Sequence, residues 1–187
     1  MKHLLFSVAA ALSVSLVPAL AFAADGWAEL SQLNTVVLFR HATAPGIGDP
    51  PGFNLKDCPT QRNLNDKGWA EARQLGEQFR NRQIAVGAVL TSQWCRTRET
   101  AQLAFGDRLK DEPAFNSSFS TSAEISDQQT AQAKAVIGQW RGPGALVVFS
   151  HQVNITALTG VYPSSAEGVV LRAASDGSLK VLGTVKP

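Results

Sequence analysis

The stretch Thr35-Val36-Val37-Leu38-Phe39-Arg40-His41-Ala42-Thr43 is where the architecture first becomes readable. Thr35 to Phe39 are β-branched, aliphatic or aromatic at every position rather than at alternate ones. That is the pattern of a short strand buried on both faces of a parallel sheet. Val86 to Leu90 and Ala145 to Phe149 have the same character. Helical spacing fills the intervals. Asn65 is placed to cap a helix presenting Trp69, Ala72, Leu75, Gly76 and Phe79. A second helix is expected from about Trp94 to Phe105. A third, near Asp127 to Trp140, carries Ala133, Val136, Ile137 and Trp140 on one side and stops at Gly142-Pro143-Gly144. A further helix follows His151 and ends at Gly160, and Gly168–Arg172 with Leu179–Gly183 form a hairpin turning at Asp176-Gly177. This order predicts an α/β fold: a three-layer α/β/α sandwich with a mostly parallel central sheet and no separate cap domain. Ala44 to Arg62, with four prolines, and the serine-rich Pro113 to Ser126 are expected as long loops.

The chain has three histidines, His3, His41 and His151, and the last two stand where predicted strands end. The carboxyl ends of parallel strands share one edge of a sheet, where ligands bind. Two strands would therefore bring both imidazoles to one place. The strand Val86–Leu90 ends at the same edge and is followed by Ser92, then by Arg96 and Arg98 at a helix start. A guanidinium fork matches phosphate oxygens, so Arg40 and Arg96 are candidates to hold a phosphoryl group. Their charge lowers the pKa of a nearby imidazole, and a neutral imidazole keeps the lone pair that attack on phosphorus requires. His41 is the candidate nucleophile, provided its other ring nitrogen donates to a backbone carbonyl. His151 is the candidate donor to the phosphoryl oxygens. No metal and no cofactor is required by this set. Arg98 is expected to face solvent or pair with Glu99 or Asp107.

Lys2-His3, the apolar run Leu4 to Leu20 and Ala21-Phe22-Ala23 have the layout of a secretory signal peptide, so residues 1–23 are expected to be removed and residues 24–187 to form one domain. The mature chain is then expected in the periplasm or outside the cell, free of the membrane. A formal net charge of +2 gives no argument for nucleic acid. In an oxidising compartment Cys58 and Cys95 are expected to pair, the alternative being two buried thiols. The chain has no G-x-S-x-G elbow, no P-loop and no C-x5-R spacing.

Arg40-His41-Ala42-Thr43 after a strand resembles the R-H-G signature of the histidine phosphatase (phosphoglycerate mutase-like) superfamily. Leu64-Asn65-Asp66-Lys67-Gly68, Ser92-Gln93-Trp94-Cys95-Arg96 with Thr100-Ala101, and Phe149-Ser150-His151 are similar to further family motifs, in the family's order. The resemblance implies that His41 is phosphorylated, that Arg40 and Arg96 bind phosphate and that His151 completes the pocket. Arg62 lies where a further basic residue sometimes joins, or is a surface arginine beside Asp66. Size and leader resemble small exported members similar to lipopolysaccharide-core phosphatases, which implies a small-molecule or glycan phosphomonoester as substrate. Three positions depart from the pattern. Ala42 replaces glycine, Gln152 stands where one branch has an acidic proton donor, and the glutamate of the mutase branch has no counterpart. Asp49, Glu112 and Glu124 are loop carboxylates available as general acid, so the acid is unassigned. A non-catalytic phosphate- or anion-binding module of the same fold is the alternative function.

Overall fold

The computed structural model describes residues 25–187; the expected leader, residues 1–23, lies outside the described residues. The strands β1 (Thr35–Arg40), β2 (Val86–Thr91), β3 (Leu109–Asp111), β4 (Ala145–Ser150), β5 (Gly168–Ala173) and β6 (Leu179–Val185) form one sheet in the order β3-β2-β4-β1-β5-β6. The β1–β4, β4–β2 and β2–β3 pairings are parallel, whereas β5 runs antiparallel to both β1 and β6. The sheet is thus mostly parallel, closed at one edge by the expected hairpin.

Helices α1 (Gly26–Glu29), α2 (Asp66–Asn81), α3 (Cys95–Phe105), α4 (Ala123–Gly138) and α5 (Gln152–Thr159) cover both faces. Alternation along β1 and β4 sends side chains both ways. Val37, Phe39, Val147 and Phe149 pack with Ala72, Leu75 and Phe79 of α2 and Ala101 and Ala104 of α3. Val36, Leu38, Leu146 and Val148 pack with Ala133 and Ile137 of α4 and Ile155 and Leu158 of α5. This is why the sequence shows unbroken apolar runs there. Phe39 stacks on Phe149 with ring centroids 5.4 Å apart, and truncating such a ring costs about 3–5 kcal/mol.

Asn65 caps α2 by accepting from the Gly68 backbone N–H at 3.0 Å. A Cβ on Gly68 would sit 2.2 Å from the Thr43 carbonyl oxygen, so the segment after His41 lies flush against this helix only because the position is glycine. Three local details differ from the sequence expectation. The short edge strand β3 occupies a stretch with no strand-like run. Pro113–Phe115 is a 3-10 turn capped by Glu112. Helix α4 starts at Ala123, because Ser122 caps it by accepting from the Ile125 N–H, and it ends at Gly138, short of Trp140. Cys58 and Cys95 are joined in a disulfide, tying the proline-rich loop to the start of α3.

Candidate active site

The register of β1 against β4 puts Arg40 opposite Ser150, so the residues that follow, His41 and His151, emerge side by side. Their ring centroids are 5.6 Å apart. β2 lies on the other side of β4 and brings Ser92 next to His151, with Ser92 Oγ 2.8 Å from His151 Nε2. Arg96, in the first turn of α3, reaches the same point, its Nη2 3.5 Å from His151 Nδ1. His41, His151 and Arg96 line a cavity of about 490 Å3 together with Arg40, Asp49 and Arg62. Sequence reasoning thus named residues that the fold does bring together.

His41 is buried, and its Nδ1 donates to the Ala42 carbonyl at 2.7 Å. A carbonyl only accepts, so Nδ1 carries the proton and Nε2 is left with its lone pair. Burial first, then the Arg96 charge, with Arg62 and Arg40 adding to it, lower the His41 pKa to about 3 against the opposing Ala42 hydrogen bond. Burial and the Arg96 charge likewise hold His151 well below its ordinary value. Both imidazoles are therefore neutral at physiological pH. Ala42 does not take a positive φ, and its N–H donates to Thr100 Oγ1 at 3.1 Å, so the methyl group is accommodated without strain.

Arg62 is a pocket residue and not a surface arginine beside Asp66. Its Nε donates to the Gly48 carbonyl at 2.7 Å and its Nη1 to the Ala44 carbonyl, which pins the loop after His41. Arg40 Nη1 donates to the Pro163 carbonyl at 3.2 Å. Burial lowers the pKa of all three guanidinium groups, with repulsion between them adding at Arg62 and Arg96. Arg40 Nε and Arg96 Nε are both buried with no hydrogen-bond partner, a condition an incoming oxyanion relieves.

Of the three loop carboxylates considered as acids, only Asp49 reaches the pocket. It is bound at two points by Arg96, Nη1 to Oδ1 at 2.7 Å and Nη2 to Oδ2 at 3.2 Å, and also accepts from Trp94 Nε1 at 2.9 Å. Burial acts to raise its pKa, but the hydrogen bonds from Arg96 and the Arg62 backbone outweigh it and hold Asp49 ionised. Glu112 caps the 3-10 turn and Glu124 lies exposed in the first turn of α4. Gln152 donates to Thr156 Oγ1. Arg98 pairs with Asp111 at 3.1 Å, and not with Glu99 or Asp107, because β3 sets Asp111 beside it. Ser92 and the Asp49–Arg96 pair were missed as functional contacts. The signals for Ser92 were its place after a strand end and at the head of the Ser92-Gln93-Trp94-Cys95-Arg96 segment.

The histidine phosphatase superfamily (branch 1) model matches residues 36–142, more than half of the chain. The chain belongs to the histidine phosphatase superfamily. Among solved structures of similar fold is the protein histidine phosphatase SixA complexed with tungstate, 18% identical, covering 82% of this chain and 97% of that one with a TM-score of 0.57. Another is phosphoserine phosphatase from Entamoeba histolytica in complex with 3-phosphoglyceric acid, 13% identical over 82% of this chain and 97% of that one, TM-score 0.59. No curated protein matches the chain by sequence. At such identities these neighbours speak for the shared histidine phosphatase fold. The family match ends before His151, whose place beside His41 comes from the β1–β4 register.

Proposed function

We propose that this histidine phosphatase hydrolyses phosphomonoesters through a phosphohistidine on His41 and needs no metal. One observation carries the reading: the buried Nδ1 donation to Ala42 fixes a bare Nε2 in a pocket with three arginines. Three guanidinium groups against the single carboxylate of Asp49 leave the pocket two positive charges, the match for a phosphomonoester dianion. Arg40, Arg62 and Arg96 would hold the phosphoryl oxygens. His41 Nε2 attacks phosphorus, the bond to the leaving oxygen breaks, and the leaving group departs with the electron pair. Water then attacks phosphorus, the N–P bond breaks, and Nε2 recovers its lone pair as phosphate leaves. His151, aided by Arg96, stabilises the charge that builds on the phosphoryl oxygens.

With Asp49 held by Arg96, no carboxylate lining the pocket is free to protonate a leaving alkoxide. The reading therefore favours leaving groups that depart without a proton, such as acyl phosphates, N-phosphoryl groups and aryl esters. The same observation favours the second reading, an anion-binding module without turnover. A time course with p-nitrophenyl phosphate and acetyl phosphate, comparing wild type with His41→Ala, separates them. Turnover lost in the variant, with inhibition by vanadate and none by chelators, supports the enzyme. Tight phosphate binding with no turnover on either substrate supports the module.

The leader-like residues 1–23 and the Cys58–Cys95 bond support work outside the cytoplasm, with a small-molecule or glycan phosphomonoester of that compartment as substrate. Fractionation of cells expressing the full chain, followed by mass measurement of the mature N-terminus, tests this.

A further inference from the structure

The floor of the His41 pocket is charged, but its mouth is not. Of six large apolar side chains exposed among the described residues, three stand on this one rim: Ile47 at 90%, Tyr162 at 72% and Phe119 at 56% exposure. Phe53 and Val153 line the same opening, and the remaining mouth residues include Ser117, Ser120, Thr121 and Gln152, all uncharged. The aromatic groups connect rim to floor. Phe53 lies 5.9 Å from Trp94 between ring centroids, and Trp94 lies 5.4 Å edge-on to His151. Tyr162 is next to Pro163, whose carbonyl Arg40 holds. Phe119 sits over Gly48, beside Asp49, with its ring edge 3.7 Å from where a Gly48 Cβ would be. The rim is thus anchored on three sides to the residues that would grip a phosphoryl group.

Exposed aromatic and aliphatic side chains cost solvation and are concentrated only where something covers them. The floor's two positive charges match one phosphoryl dianion, and the mouth offers no further cation for a second phosphate or a carboxylate. We infer that the mouth selects phosphomonoesters whose alcohol portion is apolar and uncharged, seating it against Phe53, Phe119, Tyr162 and Ile47. The inference rests on the phosphatase reading for its chemistry and goes beyond it in naming the substrate class, an apolar small-molecule ester in preference to a glycan. A ring laid on this rim removes apolar area from water on both partners, and a carboxylate in the same place would lose hydration with no cation to replace it.

The test compares phenyl phosphate, 4-biphenylyl phosphate and 4-carboxyphenyl phosphate, which differ mainly in what they present to the mouth. The wild-type chain should show kcat/KM about tenfold higher for the biphenylyl than for the phenyl ester, the worth of burying one face of a second ring. The carboxylated ester should fall below both. In the doubly substituted Phe119→Ser, Tyr162→Ser chain, whose changes are at exposed positions, the biphenylyl-to-phenyl ratio should drop to near one. Equal kcat/KM for the two esters in wild type, or a preference that survives the double substitution, overturns the inference. Equal rates combined with co-sedimentation on anionic phospholipid vesicles would assign the rim to a membrane surface and overturn it as well. Acetyl phosphate separates the two levels: its failure to turn over, along with every ester, counts against the phosphatase reading. In that case the selectivity is read as tighter binding of 4-biphenylylphosphonate than phenylphosphonate, and equal affinity for the two sinks it.

Discussion

Asp49 lies face to face with Arg96, two oxygens on two nitrogens, so the guanidinium placed to receive phosphate already holds a carboxylate. A bound phosphoryl group must share Arg96 with it. Asp49→Asn should therefore act in opposite directions on two observables. Inorganic phosphate should bind roughly tenfold more tightly, since one negative charge near the anion is gone. The melting temperature should fall, because a buried guanidinium loses its counter-charge. Calorimetric titration with phosphate and thermal unfolding check both. Weaker phosphate binding in the variant would show instead that Asp49 orients Arg96 for the anion.

The histidines make stability depend on pH. In the unfolded chain each protonates near about pH 6.5, whereas folded His41 resists until about 3 and folded His151 is also held well below the ordinary value. Below the unfolded value the unfolded state binds the extra protons, so stability falls as the pH drops toward the folded values. Each histidine contributes a slope of up to about 1.4 kcal/mol per pH unit in that window. Chemical denaturation at pH 7 and pH 5 should show the decline, and it should be shallower in His41→Asn.

Ser92 Oγ accepts from the Trp94 backbone N–H at 3.2 Å and lies 2.8 Å from His151 Nε2. Arg96 Nη2, which can only donate, faces His151 Nδ1 at 3.5 Å, so Nδ1 accepts and Nε2 carries the ring proton that it gives to Ser92. Removing the hydroxyl in Ser92→Ala should lower kcat/KM about tenfold, the worth of one buried hydrogen bond, and weaken vanadate inhibition in parallel. Lower kcat with unchanged vanadate affinity would detach Ser92 from oxyanion binding.

The disulfide closes a loop with a sequence separation of 37 that contains Arg62, whose backbone N–H donates to Asp49 just ahead of the loop. Replacing both cysteines by alanine should cost about 4 kcal/mol through the regained freedom of the unfolded loop. KM should also rise, as the loop that sets Asp49 and the Arg62 side chain loosens. Urea denaturation and steady-state kinetics read the two effects separately.

Much of this was legible in the residues because burial on both faces leaves a plain trace. β1 and β4 are unbroken apolar runs buried on both faces, β2 is as apolar though half-buried, and their shared ends carry His41, His151 and Ser92. β3 left no trace: three residues at a sheet edge, half-buried, need no apolar pattern. The start of α4 was hidden by its own cap, since Ser122 in a serine-rich stretch reads equally as loop. The partners of Arg62, Arg96 and Arg98 come from loops and an edge strand distant in sequence. Pairings of that kind are set by tertiary packing, and no local spacing announces them.

The strand that presents His41 has both its sheet neighbours far downstream: Val36 lies opposite Leu146 on one side and Leu171 on the other. A chain emerging from its N-terminus holds this strand unpaired until nearly its whole length is available, and contacts that distant form slowly. The pairing that sets His41 beside His151 therefore needs residues more than a hundred positions apart. A polypeptide built this way has no working phosphoryl site until almost all of it has been made and is free to fold.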